Sequence, residues 1–188
     1  SSAASDVYKR QIKDYLETNG LKLKKILLTH GHYDHFGGTA DAAIDSGAEI
    51  FISGNDSHML SSRMDSLADF ISNESFKPIT EYKEISEGSE IILDELKFKV
   101  IETPGHTKGS VCYLCNDYIF TGDTLFALSM GRTDFPGGNP SEMHKSLLRL
   151  AEIKEDLNVC PGHNETTTLS FEKRNNPYLK ENPYEDLI

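Results

Sequence analysis

Thr29-His30-Gly31-His32-Tyr33-Asp34-His35 is the stretch that decides how this chain is read. Three histidines and one aspartate fall within six residues. Neutral imidazole and carboxylate are ligands that zinc, iron and manganese accept. On a helix, residues i and i+2 point to different faces, so a His-x-His-x-Asp-His run gathers its ligands only on a strand end or loop. There His30 and His32 point together while Asp34 and His35 turn toward a neighbouring point. That arrangement predicts two adjacent metal ions rather than one tetrahedral cage. The run 24–29 (KKILLT) that leads into it reads as a short buried strand. Gly37-Gly38, just after it, let backbone pass close to the site.

Three further turns repeat the pattern of one polar residue placed after an apolar strand. Thr103-Pro104-Gly105-His106-Thr107 presents His106, Phe120-Thr121-Gly122-Asp123-Thr124 presents Asp123, and Cys160-Pro161-Gly162-His163 presents His163. Each alone is an ordinary turn. Together they matter, because strand C-termini that meet on one sheet edge form the usual α/β active site. Four such turns supply seven ligands: His30, His32, Asp34, His35, His106, Asp123 and His163. The remaining histidines, His58 and His144, lie in polar helical stretches without a glycine turn and read as solvated surface.

The rest of the chain alternates helix and strand, which predicts α/β packing with helices over sheets. Residues 12–19 read as a helix ended by Gly20, and 37–46 as another closed by Gly47. Residues 48–52, 85–93 and 97–102 read as strands, the last two flanking a turn at Asp94-Glu95. Residues 55–72 read as helical segments. Residues 111–114 and 118–121 are expected to pair across Asn116-Asp117, and 158–160 to form a last strand. Residues 131–140 form a Gly- and Pro-rich loop. Ser141 is expected to cap an amphipathic helix that turns Met143, Leu147, Leu148, Leu150 and Ala151 inward.

The net charge of −11 argues against nucleic acid or an anionic membrane surface as partner, although two divalent ions would add four positive charges at the site. No stretch approaches the roughly 18 apolar residues of a membrane span. Three cysteines, Cys112, Cys115 and Cys160, fit a reducing compartment and hence the cytoplasm. Cys112-x-x-Cys115 lies in an apolar strand and reads as core filler, since no second pair completes a four-sulfur site. Residues 1–11 (SSAASDVYKRQ) match a translated transposase-type sequencing adapter residue for residue. They are therefore expected to be a non-native tail fused to one domain, 12–188, that lacks its natural N-terminus.

With these motifs in hand, the chain resembles the metallo-β-lactamase superfamily, and within it the glyoxalase II-like (hydroxyacylglutathione hydrolase-like) enzymes. The motifs occur in family order, over about residues 12–179. The resemblance implies a four-layer αββα sandwich, here incomplete at the N-terminal sheet. It implies His30, His32 and His106 on one metal, Asp34, His35 and His163 on a second, and Asp123 bridging them. The two ions would be divalent, with zinc first and iron or manganese as alternatives. The activity implied is hydrolysis of a small-molecule thioester, S-acylglutathione or a similar thiol ester, with Asp34 and Asp123 as catalytic carboxylates. Gly131-Arg132-Thr133-Asp134 and the 172–178 segment resemble compact bacterial members, and make Arg132, Lys173 and Arg174 candidate contacts to a substrate carboxylate. Classical glyoxalase II carries a longer helical C-terminal domain that binds glutathione, which this chain is not expected to supply. The alternatives are a mononuclear-iron persulfide dioxygenase, a lactonase or β-lactamase of the same fold, and an inactive metal-binding fragment.

Overall fold

The computed structural model describes residues 11–71 and 76–180. The first ten residues of the expected tail, and residue 72 at the end of the expected 55–72 helical region, lie outside the described residues. The chain divides into two units, Ser1–Ile85 and Ser86–Ile188.

In the first unit, helix α1 (11–18) ends as the sequence predicts, with Gly20 at φ +62° and the Leu21 amide bonded back to the Leu16 carbonyl. Three parallel strands follow, β1 (Lys25–Leu27), β2 (Glu49–Ser53) and β3 (Lys83–Ile85), in the order β1-β2-β3. Between β1 and β2 come one-turn helix α2 (Tyr33–Phe36) and helix α3 (Thr39–Ser46), which Gly47 closes at φ +72°. A 3-10 turn (Ser57–Ser61) and α4 (Ala68–Ile71) occupy the region read as helical. Leu28, Tyr33, Phe36, Ile50, Ile52, Leu60 and Ala68 form the core. Glu49 sits between the ammonium groups of Lys25 and Lys83, which ties β1 to β3 across β2.

One predicted strand is two. The run 85–93 breaks after β3, and the next strand, β4 (Glu90–Leu93), belongs to the other sheet. Ser86-Glu87-Gly88-Ser89 makes a tight turn with Gly88 at φ +74° and the Ser89 amide bonded to the Ser86 carbonyl. The apolar alternation on either side hides this turn.

The second unit is built on a six-stranded sheet. Its strands are β4, β5 (Leu96–Glu102), β6 (Val111–Cys115), β7 (Tyr118–Gly122), β10 (Asn158–Pro161) and β11 (Thr167–Thr168), in the order β11-β10-β7-β6-β5-β4. The two predicted turns carry residues with positive φ, Asp94 (+53°) and Asn116 (+51°), as their short polar side chains allow. A small hairpin, β8 (Leu125–Phe126) and β9 (Ser129–Met130), leads to α5 (Pro140–Ala151), and α6 (Leu169–Asn175) follows β11.

Met143, Leu147 and Leu150 of α5 are fully buried against Ile101, Cys112, Ile119 and Val159 of the sheet. Each such side chain contributes about 1.5–3 kcal/mol of burial. Leu148 and Ala151 are only partly buried. The cap of α5 is Asn139 rather than Ser141. Its side-chain oxygen accepts from the Ser141 and Glu142 amides at 3.0 and 3.2 Å, and Pro140 takes the first helical position, where its fixed φ and missing N–H cost nothing. Cys112 and Cys115 are free thiols on opposite faces of β6, so this C-x-x-C grips no common ligand. Among the described residues no helix is long and apolar enough to cross a membrane.

Candidate metal centre

The first unit carries four of the predicted ligands where β1 ends. His32 is extended (φ −76°, ψ 143°) and stands at the N-cap of α2, so the chain passes from extended to helical between His32 and Tyr33. His30 and His32 sit in the loop between β1 and α2, with perpendicular rings 4.9 Å apart, whereas Asp34 and His35, expected on the same loop, lie in the helix. Asp34 and His35 ride the single turn of α2, which brings the His35 ring to 4.2 Å from that of His30. Asp34 Oδ2 lies 3.7 Å from His35 Nε2. Tyr33 and Phe36, both buried, anchor that turn in the core. The Nδ1 of His30 lies 3.2 Å from the Thr29 hydroxyl, so Nε2 is the atom that would meet a metal.

The loop is braced by a residue that the sequence reading missed. Asp56, buried, accepts from the Gly31 amide at 3.0 Å. Gly31 is the close-approach glycine here, since a Cβ on it would lie 2.7 Å from Met59 Cβ. Gly37, credited with that role from sequence, instead ends α2 by donating to the Tyr33 carbonyl. A polar Asn-Asp-Ser cluster directly after an apolar strand was the available signal for Asp56.

Strand direction brings together the second unit's three candidate ligands. β5 and β7 are each antiparallel to β6, and β10 is parallel to β7, so β5, β7 and β10 all point the same way. Their C-terminal ends share one sheet edge, and His106, Asp123 and His163 follow those ends. Asp123 Oδ2 lies 3.5 Å from His106 Nε2 and 3.6 Å from His163 Nε2. These gaps exceed the 2.7–3.2 Å of ordinary hydrogen bonds. They match the ligand-to-ligand edge of a tetrahedral site, about 3.4 Å for metal–ligand bonds near 2.1 Å. The donor set and its spacing therefore fit a divalent metal.

Each ligand turn has its own support. His106 Nδ1–H donates to the Arg132 carbonyl at 2.7 Å, which fixes the tautomer with Nε2 available as ligand. The buried hydroxyls of Thr103 and Thr124 meet at 2.9 Å and tie the His106 turn to the Asp123 turn. Ser146 of α5 donates to the Pro104 carbonyl at 2.7 Å, and the Asn139 amide donates to the Gly105 carbonyl. Phe126 meets the His163 ring edge-on at 6.1 Å.

The candidate substrate contacts are placed less directly. Arg132 makes a two-pronged ion pair with Asp134 at 2.7 Å and stacks on Phe135, so only its backbone touches the ligand cluster. That guanidinium holds the Asp134 carboxyl down at about 2. The Lys173 ammonium binds the Ile153 carbonyl at the end of α5, and Arg174 is exposed. The same helix and its C-terminal cap carry two polar residues of greater structural weight that the sequence reading left without a role. Glu172 and Asn176 are completely buried. Glu172 accepts from the Leu128 amide, the Thr167 hydroxyl and the Asn176 side chain, each at 2.8 Å. Asn176 also donates to the Phe126 and Ser129 carbonyls. Their i, i+4 spacing at the end of a helix was the one visible hint. His58 is exposed, as expected, and His144 half-buried.

Known proteins place this architecture. The profile of the metallo-beta-lactamase superfamily matches residues 2–163. A hydroxyacylglutathione hydrolase, GloC of Haemophilus influenzae, is 34% identical over 170 residues, covering 87% of this chain and 79% of its own. The crystal structure of TTHA1623 in a di-iron-bound form superposes with a TM-score of 0.81 at 33% identity, over 90% of this chain and 84% of the other. The BLEG-1 B3 metallo-beta-lactamase superposes with a TM-score of 0.85 at 26% identity, over 92% and 84%. The chain belongs to the metallo-beta-lactamase superfamily, and its α/β fold is of that type.

Proposed function

We propose that this protein is a metal-dependent thioester hydrolase that takes an S-acylglutathione or a similar thiol ester. The observation that carries the reading is Asp123, whose one carboxylate oxygen faces the Nε2 atoms of His106 and His163 at nearly equal distance, 3.5 and 3.6 Å. A carboxylate so placed suits the shared ligand of two ions. The reading assigns His30, His32 and His106 to one divalent ion and Asp34, His35 and His163 to the other. Zinc is the first expectation, and the di-iron form of TTHA1623 supports iron as the alternative. When bound, such a pair supplies a water acidified from a pKa of 15.7 to about 7 and a Lewis acid for the carbonyl.

The chain's own groups do the rest. The Arg132 carbonyl and the Thr103–Thr124 bridge hold His106 and Asp123 in register before substrate arrives. Asp34, exposed beside His35, would hold its ion and orient the proton of the attacking water. No protein acid is needed for the leaving group, since a thiol pKa is about 8.5 and the thiolate departs unaided. No nucleophilic side chain is needed either. Burial raises the Cys160 thiol and pushes Cys112 up to about 11, the opposite of an activated cysteine. A substrate carboxylate would displace Asp134 from Arg132, or meet Lys173 or Arg174. The similarity to GloC supports glutathione as the thiol. The reading takes a small molecule rather than nucleic acid or a membrane as partner, and the cytoplasm as compartment.

The test is thiol release from S-lactoylglutathione by the chain loaded with zinc or iron, with metal counted per chain. Two ions per chain, and release that vanishes in Asp123→Ala, are the expected results. A folded protein that holds two ions and releases no thiol refutes the reading. Oxygen uptake with a persulfide would then identify the dioxygenase alternative.

A further inference from the structure

The two-residue turn of the β8–β9 hairpin, Ala127-Leu128, contains an anomaly. Leu128 has φ +54°, a left-handed conformation that glycine or asparagine takes at little cost and a leucine does not. One other leucine among the described residues shares it, Leu67 at φ +62°. Leu67 is only 6% exposed, so packing accounts for its side chain. Leu128 is 50% exposed, so folding gains little from a leucine there. A strained conformation that burial does not explain points to function.

The turn around it is locked. Glu172 accepts from the Leu128 amide, and Asn176 donates to the carbonyls of Phe126 and Ser129 on either side. Both locking residues are fully buried, so the leucine is displayed on a fixed support rather than on a loose tip. The hairpin also adjoins the candidate ligands. It begins two residues after Asp123, and Phe126 sits edge-on to His163 at 6.1 Å. From Thr124 to Gly131 the segment carries no charged side chain.

We propose that Leu128, together with Phe126, forms the wall that contacts the acyl group, and that it selects thioesters whose acyl chain is apolar and several carbons long over short hydroxyacyl ones. This rests on the thioester reading above. A rigid pair of apolar side chains rewards each methylene it covers and offers a hydroxyl no partner.

The experiment compares hexanoyl and lactoyl thioesters of glutathione with the metal-loaded chain, in wild type, Leu128→Gly and Leu128→Met. The wild type favours the hexanoyl ester. Leu128→Gly lowers the hexanoyl-to-lactoyl ratio of kcat/KM about tenfold, the loss of contact with about two methylenes, and Leu128→Met restores most of it. Calorimetry with S-hexylglutathione and S-methylglutathione, which are not hydrolysed, gives the same tenfold change in the ratio of Kd values. Leu128→Gly melts at or above wild type because strain is removed, whereas a purely structural leucine would lower the melt. A ratio within twofold of wild type in both assays overturns the proposal. If neither thioester is hydrolysed but the calorimetric ratio still shifts, the wall stands and the thioester reading falls.

Discussion

Glu172→Ala should be among the most damaging single changes in the second unit, although Glu172 is a candidate for no chemical step. Its carboxylate is completely buried and takes three hydrogen bonds of 2.8 Å, from Leu128, Thr167 and Asn176. The three are not equal once the carboxylate is gone. Asn176 keeps the Phe126 and Ser129 carbonyls and loses little. The Leu128 amide and the Thr167 hydroxyl each lose a charge-assisted partner, but both belong to residues that water reaches, so each costs about 1 kcal/mol. The void left by the side chain costs about 1 kcal/mol more. The total of about 3 kcal/mol corresponds to a fall in melting temperature of about 6–12 °C for a chain of this size.

Glu172→Gln keeps the volume but turns an amide N–H toward one of the three donors. It should cost about half as much. Urea denaturation of the metal-loaded protein measures both. A Glu172→Ala loss under about 1 kcal/mol would refute the network's role. A Gln variant as damaged as Ala would show that charge rather than hydrogen-bond count is what matters. With Asn176→Ala as partner, a double-mutant cycle should return a coupling of about 1 kcal/mol, because the two side chains share one bond.

Two further outcomes are expected. Gly105→Ala places a Cβ 2.3 Å from the Met143 Cα at φ +145°, so the His106 turn must lift off α5. Stability should fall by about 3 kcal/mol or more, with weakened metal binding in a competition titration, and an unperturbed titration would disprove the close fit. The second concerns the buried thiol. Burial pushes Cys112 up to about 11 from an unfolded value of 9.0, so the folded state holds the proton more tightly. Its contribution is full below pH 9 and fades as pH rises from 9 through about 11, because the unfolded chain ionises first. Urea midpoints at pH 8.5 and 10.5 should converge between wild type and Cys112→Val at the higher pH. Cys112 and Cys115 should also resist a thiol reagent at pH 8 in the folded protein.

The candidate ligand turns stand out in sequence because each is local. His106, Asp123 and His163 each follow a strand within a few residues and sit beside glycine. Short-range chemistry of that kind leaves a short-range pattern. The supports were not legible because they act over long separations: Asp56 on the Gly31 amide, Glu172 on the Leu128 amide, Asn176 on the Ser129 carbonyl. Each binds a backbone group, and backbone groups carry no residue-type signal. The false strand 85–93 had a different cause, a Ser-Glu-Gly-Ser turn set between apolar residues that keep the alternation going on both sides. The misplaced cap of α5 followed from giving a serine weight over an Asn-Pro pair, although proline at the first helical position was itself the marker.

Strand order also sets how each candidate ligand of the second unit reaches the sheet edge. β7, which Asp123 directly follows, lies inside the sheet, hydrogen-bonded to β10 on one side and β6 on the other. β10, which His163 follows, is its direct parallel neighbour, so that candidate ligand needs only the short step past Gly162. β5, which leads to His106, is two strands away, roughly 10 Å at ordinary strand spacing. His106 must therefore be carried back toward β7, and the Pro-Gly turn seated on α5 does so. The cost of that detour is visible in the supports. The His106 turn has the Arg132 carbonyl, the Thr103–Thr124 bridge, Ser146 and Asn139 holding it. His163, whose side chain is 49% exposed against 3% for His106, takes the short path and has the edge of Phe126 beside it. A ligand far from its partner in the sheet needs a built scaffold, and the sequence spends residues 103–107 and the first turns of α5 on providing it.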